Sequence, residues 1–222
     1  MGTSRHRCKG RYATILRLVT PPPIAPLMAK ASRSSSLSEL RIIAGKYRGR
    51  KIAFHDAPGL RPTGDRIRET LFSWLQTELP GARCLDLFAG SGALGFEAAS
   101  RGAIEVVMVE NHAPTFRQLQ SQQQHLHASE VRLLQEDGLR VLNTVTPAFD
   151  VIFLDPPFHQ RWLEKALPII AERQLLKPNG LIYLELERET DWPLLPASLE
   201  WHRQKEAGQV RYGLARQTGE MK

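Results

Sequence analysis

The chain has 222 residues, 42% of them hydrophobic, and a formal net charge of +7. That length suits one domain with a small appendage, and no apolar run is long enough to span a bilayer, so no membrane partner is expected. Two cysteines, Cys8 and Cys84, lie far apart and make neither a metal nor a redox spacing, so we expect no metal and a reducing, cytoplasmic home.

Residues 1–38 hold seven bases (Arg5, Arg7, Lys9, Arg11, Arg17, Lys30 and Arg33) and no acid, while the other 23 bases face 23 acids. The excess charge therefore belongs to the start of the chain, and the body is neutral. Rich in Arg, Ser and Pro, this start reads as a disordered basic extension. An organelle transit peptide has the same composition, and Met28 is an alternative start of translation.

Residues 39–82 read as a basic hairpin and helix. RIIAGKYRGRKIAF (41–54) alternates apolar and basic residues around Gly45 and Gly49, which predicts a β-hairpin. Between 60 and 79, apolar residues recur at helical spacing, with Thr63 or Asp65 as the cap.

Residues 83–222 read as one domain. Strands at 84–88, 105–110, 130–135, 150–155 and 181–187 alternate with helices, the last strand following Pro178-Asn179-Gly180. That rhythm predicts an α/β fold with a doubly wound, mostly parallel sheet. Two further strands, 199–207 and 209–217, meet at Gly208 as an antiparallel hairpin at the sheet edge.

After the first of these strands comes LDLFAGSGALG (85–95), in which Gly90, Gly92 and Gly95 satisfy G-x-G-x-x-G. Alone, the pattern says that the backbone approaches a ligand at a helix start, and a nicotinamide dinucleotide is one reading. Asp86 argues against that reading, because a carboxylate beside the turn repels a pyrophosphate. S-adenosylmethionine (SAM) carries an ammonium, a sulfonium and no phosphate, so Asp86 can hold its methionine end. Phe88, Ala89 and Ser91 complete the turn. Glu110, followed by Asn111, stands where an acid accepts ribose hydroxyls, and Asp137-Gly138 stands where an acceptor meets the adenine amine. The plainer alternative is that these acids cap helices and backbone amides.

DLFAGSGALGFEAASRGA (86–103) together with DPPF (155–158) resembles the amino-methyltransferases of the class I, SAM-dependent, Rossmann-like fold. RIIAGKYRGRKI and RPTGDRIRETLFSWL resemble more narrowly the RsmD family, and the likeness runs from about Arg41 to Gln217. The resemblance implies methyl transfer from SAM to the exocyclic amine of a guanine in small-subunit (16S) ribosomal RNA, giving S-adenosylhomocysteine. The guanine rests on the resemblance. DPPF itself also fits an adenine amine in DNA or RNA, or the amide of a glutamine side chain.

The chemistry explains the tetrapeptide. An amine on an aromatic base is a poor nucleophile because its lone pair is delocalised into the ring. Two acceptors aimed at its N–H groups favour the pyramidal form. The Asp155 carboxylate can supply one and the Pro156 carbonyl the other. Pro156 and Pro157 fix φ and remove donors, and Phe158 can stack on the base. A bare turn after a strand is the alternative.

For RNA, residues 41–68 carry Arg41, Lys46, Arg48, Arg50, Lys51, Arg61, Arg66 and Arg68 against Asp56 and Asp65. Such a cluster can grip phosphates, although Arg66 and Arg68 are also placed to serve the cofactor or the protein's own structure. The expected partner is ribosomal RNA within a small subunit, bound by a monomer.

Overall fold

The structure is a computed structural model describing residues 37–55, 64–158 and 160–218. The expectations for 1–36, for Arg61 and for a Thr63 cap lie outside the described residues. Leu37 and Ser38, read above as part of the extension, are in a strand.

Strand β1 (Leu37–Arg41) pairs antiparallel with β2 (Lys51–His55). Helix α1 follows (Asp65–Trp74), then β3 (Arg83–Asp86), α2 (Ala93–Ser100), β4 (Glu105–Val109), α3 (Ala113–Leu126), β5 (Val131–Leu134) and α4 (Gly138–Thr144). The chain ends with β6 (Phe149–Leu154), α5 (Trp162–Glu172), β7 (Leu176–Glu187), β8 (Leu199–Ala207) and β9 (Val210–Gln217). The main sheet has seven strands in the order β5-β4-β3-β6-β7-β9-β8. β3 to β7 are parallel, and β9 runs antiparallel between β7 and β8.

The central strands are apolar on both faces because both are covered. Side chains alternate across a strand, so Cys84, Val106, Val151, Phe153 and Tyr183 join one core with β1, β2 and α1 to α3. Leu85, Val107, Ile152, Leu154 and Leu184 join a second core with α4 and α5. Phe153 is fully buried in the first core, its ring 6.1 Å from that of Phe72 on α1. Truncating such a ring to Ala costs about 3–5 kcal/mol.

Three local expectations change. β7 begins at Leu176, so Pro178-Asn179-Gly180 lie inside it rather than before it. The pairing shifts between Phe149–Leu176 and Val151–Leu181, and that irregularity absorbs a proline that a regular ladder would reject. Gly64, not Asp65, is the N-cap of α1, and Asp65 opens the helix.

The third change concerns 42–50, which dock as a loop onto α2 rather than forming strand. Glu97, with no exposed surface, accepts the backbone N–H groups of Ile43 (2.7 Å) and Ala44 (3.1 Å) and the Arg101 Nε–H (2.7 Å). The Ser100 hydroxyl accepts from the Tyr47 N–H at 2.9 Å, and the Ser100 carbonyl accepts from the Lys46 N–H at 2.8 Å. Gly45 makes this approach possible. Its φ is +82°, and a Cβ there would stand 1.8 Å from the Ser100 oxygen.

Candidate active site

The chain runs outward from β3 through β4 to β5, then returns to lay β6 on the other side of β3. Ligands of open α/β sheets bind at the strand carboxyl ends beside that reversal. Asp86 at the end of β3 is in register with Met108 of β4 and Phe153 of β6, and Phe153 is in register with Tyr183 of β7. Glu110, Asp155 and Glu185 each lie two residues beyond one of those partners, so they continue on the same face one pleat further on. Four adjacent strands thus carry carboxylates in the lateral order Glu110, Asp86, Asp155, Glu185.

Asp86 is 1% exposed. Its Oδ2 accepts from the Gly95 N–H at 3.0 Å, while its Oδ1 is buried and has no hydrogen-bond partner among the described residues. Burial, then the nearby Asp155 and, more weakly, Glu110 push its carboxyl up to about 7, against the backbone N–H groups of Gly95 and, least, Phe88, which pull it down. A buried acceptor without a partner has room for a ligand's hydrogen-bond donor, and the SAM ammonium is one. A pyrophosphate would meet a third acid here, so the dinucleotide reading does not fit.

The glycine turn is built for close approach. Gly92 has φ +83°, and a Cβ there would stand 2.6 Å from the Phe96 ring. Ala89 and Ser91 are buried, and Gly90 is half-buried. Glu110 is already engaged, accepting from the Gly90 N–H at 3.1 Å and the His112 N–H at 2.7 Å. It ties the turn to the start of α3, so a ribose would have to share it. Asn111 is exposed. Asp137 caps α4 by accepting from the Arg140 N–H at 3.1 Å, and buried Gly138 faces Leu87 and Phe88. The capping alternative is thus real for Glu110 and Asp137. The half-buried Phe88 ring lies 5.4 Å from that of Trp162 on α5.

Asp155 is half-buried, Pro156 buried and Pro157 exposed, and half-buried Phe158 packs against the first core. Pro156, Pro157 and Phe158 line a cleft with Trp162, Glu185 and Leu186. Sequence reasoning missed Glu185. It is 4% exposed, and its Oε2 accepts from the Tyr183 hydroxyl at 2.6 Å. Burial, then the Glu185 and Asp155 charges, hold the Tyr183 phenol well above its ordinary pKa, so it stays a donor. The available signal was an acid inside an otherwise apolar strand, LIYLELE. Glu97 within ALGFEAAS is the same kind of signal.

The basic cluster divides. Arg41, Lys46, Arg48, Arg50, Lys51 and Arg66 are exposed. Lys46 pairs with Glu130 at 2.8 Å, Lys51 with Glu39 at 2.6 Å, and Arg50 donates to the His125 carbonyl at 2.8 Å. Arg68 contradicts its assignment to RNA. It is 1% exposed, donates twice to the Arg41 carbonyl at 3.2 Å, pairs with Asp65 and lies 4.0 Å from Glu97. Its position on the buried side of α1 makes it a tie between that helix, β1 and α2.

The family model described as Conserved hypothetical protein 95 matches residues 40–216. The chain is 42% identical over 187 residues to the ribosomal RNA small subunit methyltransferase D of Escherichia coli strain K12, covering 84% of this chain and 94% of that one. The solved Escherichia coli YhhF structure superposes with a TM-score of 0.77 at 38% identity, over 82% of this chain and all of that one. The Thermus thermophilus 16S rRNA N2 G1207 methyltransferase RsmC, solved with AdoMet and guanosine, superposes with a TM-score of 0.58 at 25% identity, over 82% of this chain and 50% of that one. With its sheet order, its carboxylate-lined switch point and these likenesses, the chain belongs to the RsmD family of class I SAM-dependent methyltransferases.

Proposed function

We propose that the protein methylates the exocyclic N2 amine of a guanine in 16S ribosomal RNA. The observation that carries the reading is Asp155-Pro156 just past the end of β6, the strand beside the buried, half-satisfied Asp86 of β3. The relatives' names, ribosomal RNA small subunit methyltransferase D and a 16S rRNA N2 methyltransferase solved with guanosine, support the substrate.

SAM supplies, when bound, a methyl group on a positively charged sulfur. Asp86, the 88–92 turn and Glu110 would hold it, and Asp137 and Gly138 would meet its adenine. The Asp155 carboxylate accepts one N–H of the target amine and the Pro156 carbonyl accepts the other. Gripped in this way, the nitrogen turns its lone pair out of the ring. Positive charge then builds on it, and the anionic Asp155 stabilises that charge by about 3–4 kcal/mol, as a preorganised acceptor does. Asp155 or water takes the released proton. Phe158 holds the base plane, and the base is unstacked from its helix to reach the cleft. No residue in this scheme requires a metal.

Arg41, Lys46, Arg48, Arg50, Lys51 and Arg66 form the phosphate-gripping face within the 39–82 appendage, and 83–222 carries the chemistry. The protein acts as a monomer in the cytoplasm. Nucleoside mass spectrometry of 16S RNA from a strain lacking the gene tests the reading. One N2-methylguanosine should disappear and return when the purified protein and SAM are added to the subunits. An unchanged methylation profile overturns it.

A further inference from the structure

The four-strand row contains one carboxylate that the proposed chemistry does not use. Glu185 is on β7, and Asp155 follows the end of β6, the strand paired beside it; the last paired residues are Leu154 and Leu184, each one residue before an acid, and both acids act on the Tyr183 phenol. Neighbouring strands run about 5 Å apart, less than the width of a purine. Glu185 lines the same cleft as Pro156, Pro157 and Phe158, and the Tyr183 hydroxyl clamps one of its oxygens.

A base whose amine is held by Asp155 and Pro156 presents its next ring atom to the neighbouring strand. In guanine two ring nitrogens flank the N2 amine, N3, a bare acceptor, and N1, which carries a proton and donates; a carboxylate on the neighbouring strand selects the orientation that presents N1. In adenine the atom beside the N6 amine is also N1, but it is a bare acceptor. A buried carboxylate at that place satisfies the first and opposes the second.

Resting on the guanine-amine reading above, we infer that Glu185 selects guanine over adenine-like bases by accepting the N1–H, with Tyr183 as its positioning residue. Sites built around a buried polar group reject the analogue that leaves it unmatched by large factors, about 10⁴ in favourable cases.

The test uses the full chain, SAM and reconstituted small subunits whose target nucleotide is guanosine or 2-aminopurine riboside. The second base keeps the 2-amine but has an acceptor at N1. The wild type should prefer guanosine by roughly 100-fold or more in kcat/KM. Glu185→Gln can donate from its amide to a bare N1, so the ratio should fall to within about tenfold of unity or reverse. Glu185→Ala should also collapse the ratio, with both rates low. The ratio is independent of how much enzyme is folded, so partial misfolding does not blur it. A Glu185→Gln ratio equal to the wild type's overturns the inference while leaving the proposed reaction intact. Absence of N2-methylguanosine from the wild-type product overturns both.

Discussion

Two regions of this molecule carry dense charge, and they use it in different ways. At the carboxyl ends of β4, β3, β6 and β7, the sheet brings four acids from distant parts of the sequence to one face. Their like charges oppose one another, and the Gly90, His112 and Gly95 N–H groups and the Tyr183 hydroxyl offset part of that repulsion. In the segment from Arg41 to Arg68 the charges are close in sequence but end in different environments. Arg68 is buried as a structural tie, Lys46 and Lys51 are paired, and Arg48 and Arg66 face solvent. Strand register gathers the acids at one edge of the sheet, whereas nearness in sequence leaves the bases scattered among buried, paired and solvent-facing places.

The sharpest way to break this contrast is at Asp155. Asp155→Ala should lower the methylation rate by about 10³-fold with little change in SAM affinity, as loss of a charge-stabilising group does. Single-turnover rates and calorimetry check it, and a wild-type rate would remove Asp155 from the chemistry. Next is the tie between the regions. Glu97→Ala leaves Arg68 and Arg101 without their buried partner and frees two backbone N–H groups. It should cost about 3 kcal/mol, read as a shifted denaturation midpoint.

Asp86 predicts opposite pH trends for stability and binding. The folded protein holds this proton up to about 7, while an unfolded aspartate loses it near 3.8. The contribution of Asp86 to stability is therefore fully present below about 4 and is lost as pH rises to about 7. In the proposed reading the SAM ammonium pairs with ionised Asp86, so affinity should weaken by about tenfold per pH unit below that value. Calorimetric titrations from pH 5 to 8 check it, and Asp86→Asn should bind weakly with no such slope.

The smallest effect separates the arginines. Replacing Arg48 and Arg66 with Ala should leave stability within about 0.5 kcal/mol. The same pair should flatten the salt dependence of RNA binding by about 1–2 units of slope. Arg68→Ala should instead destabilise the fold by about 3 kcal/mol. An Arg68 variant of native stability would return it to the RNA-facing group.

Much of the architecture was legible in the sequence. Runs such as FDVIFL and EVVMV are too apolar for anything but strands covered on both faces, and Gly90, Gly92 and the acids after the strands mark the ligand edge. Local pattern suffices there because backbone period and side-chain type agree. What only the tertiary structure decided is which side chains share a face and which are buried. Glu185 became part of the site through its register with β6, and Glu97 and Arg68 became structural because a loop and a helix close over them. Burial and register are set by contacts between segments far apart in the chain. A carboxylate or guanidinium looks the same in sequence whether it meets water, a backbone amide or a ligand.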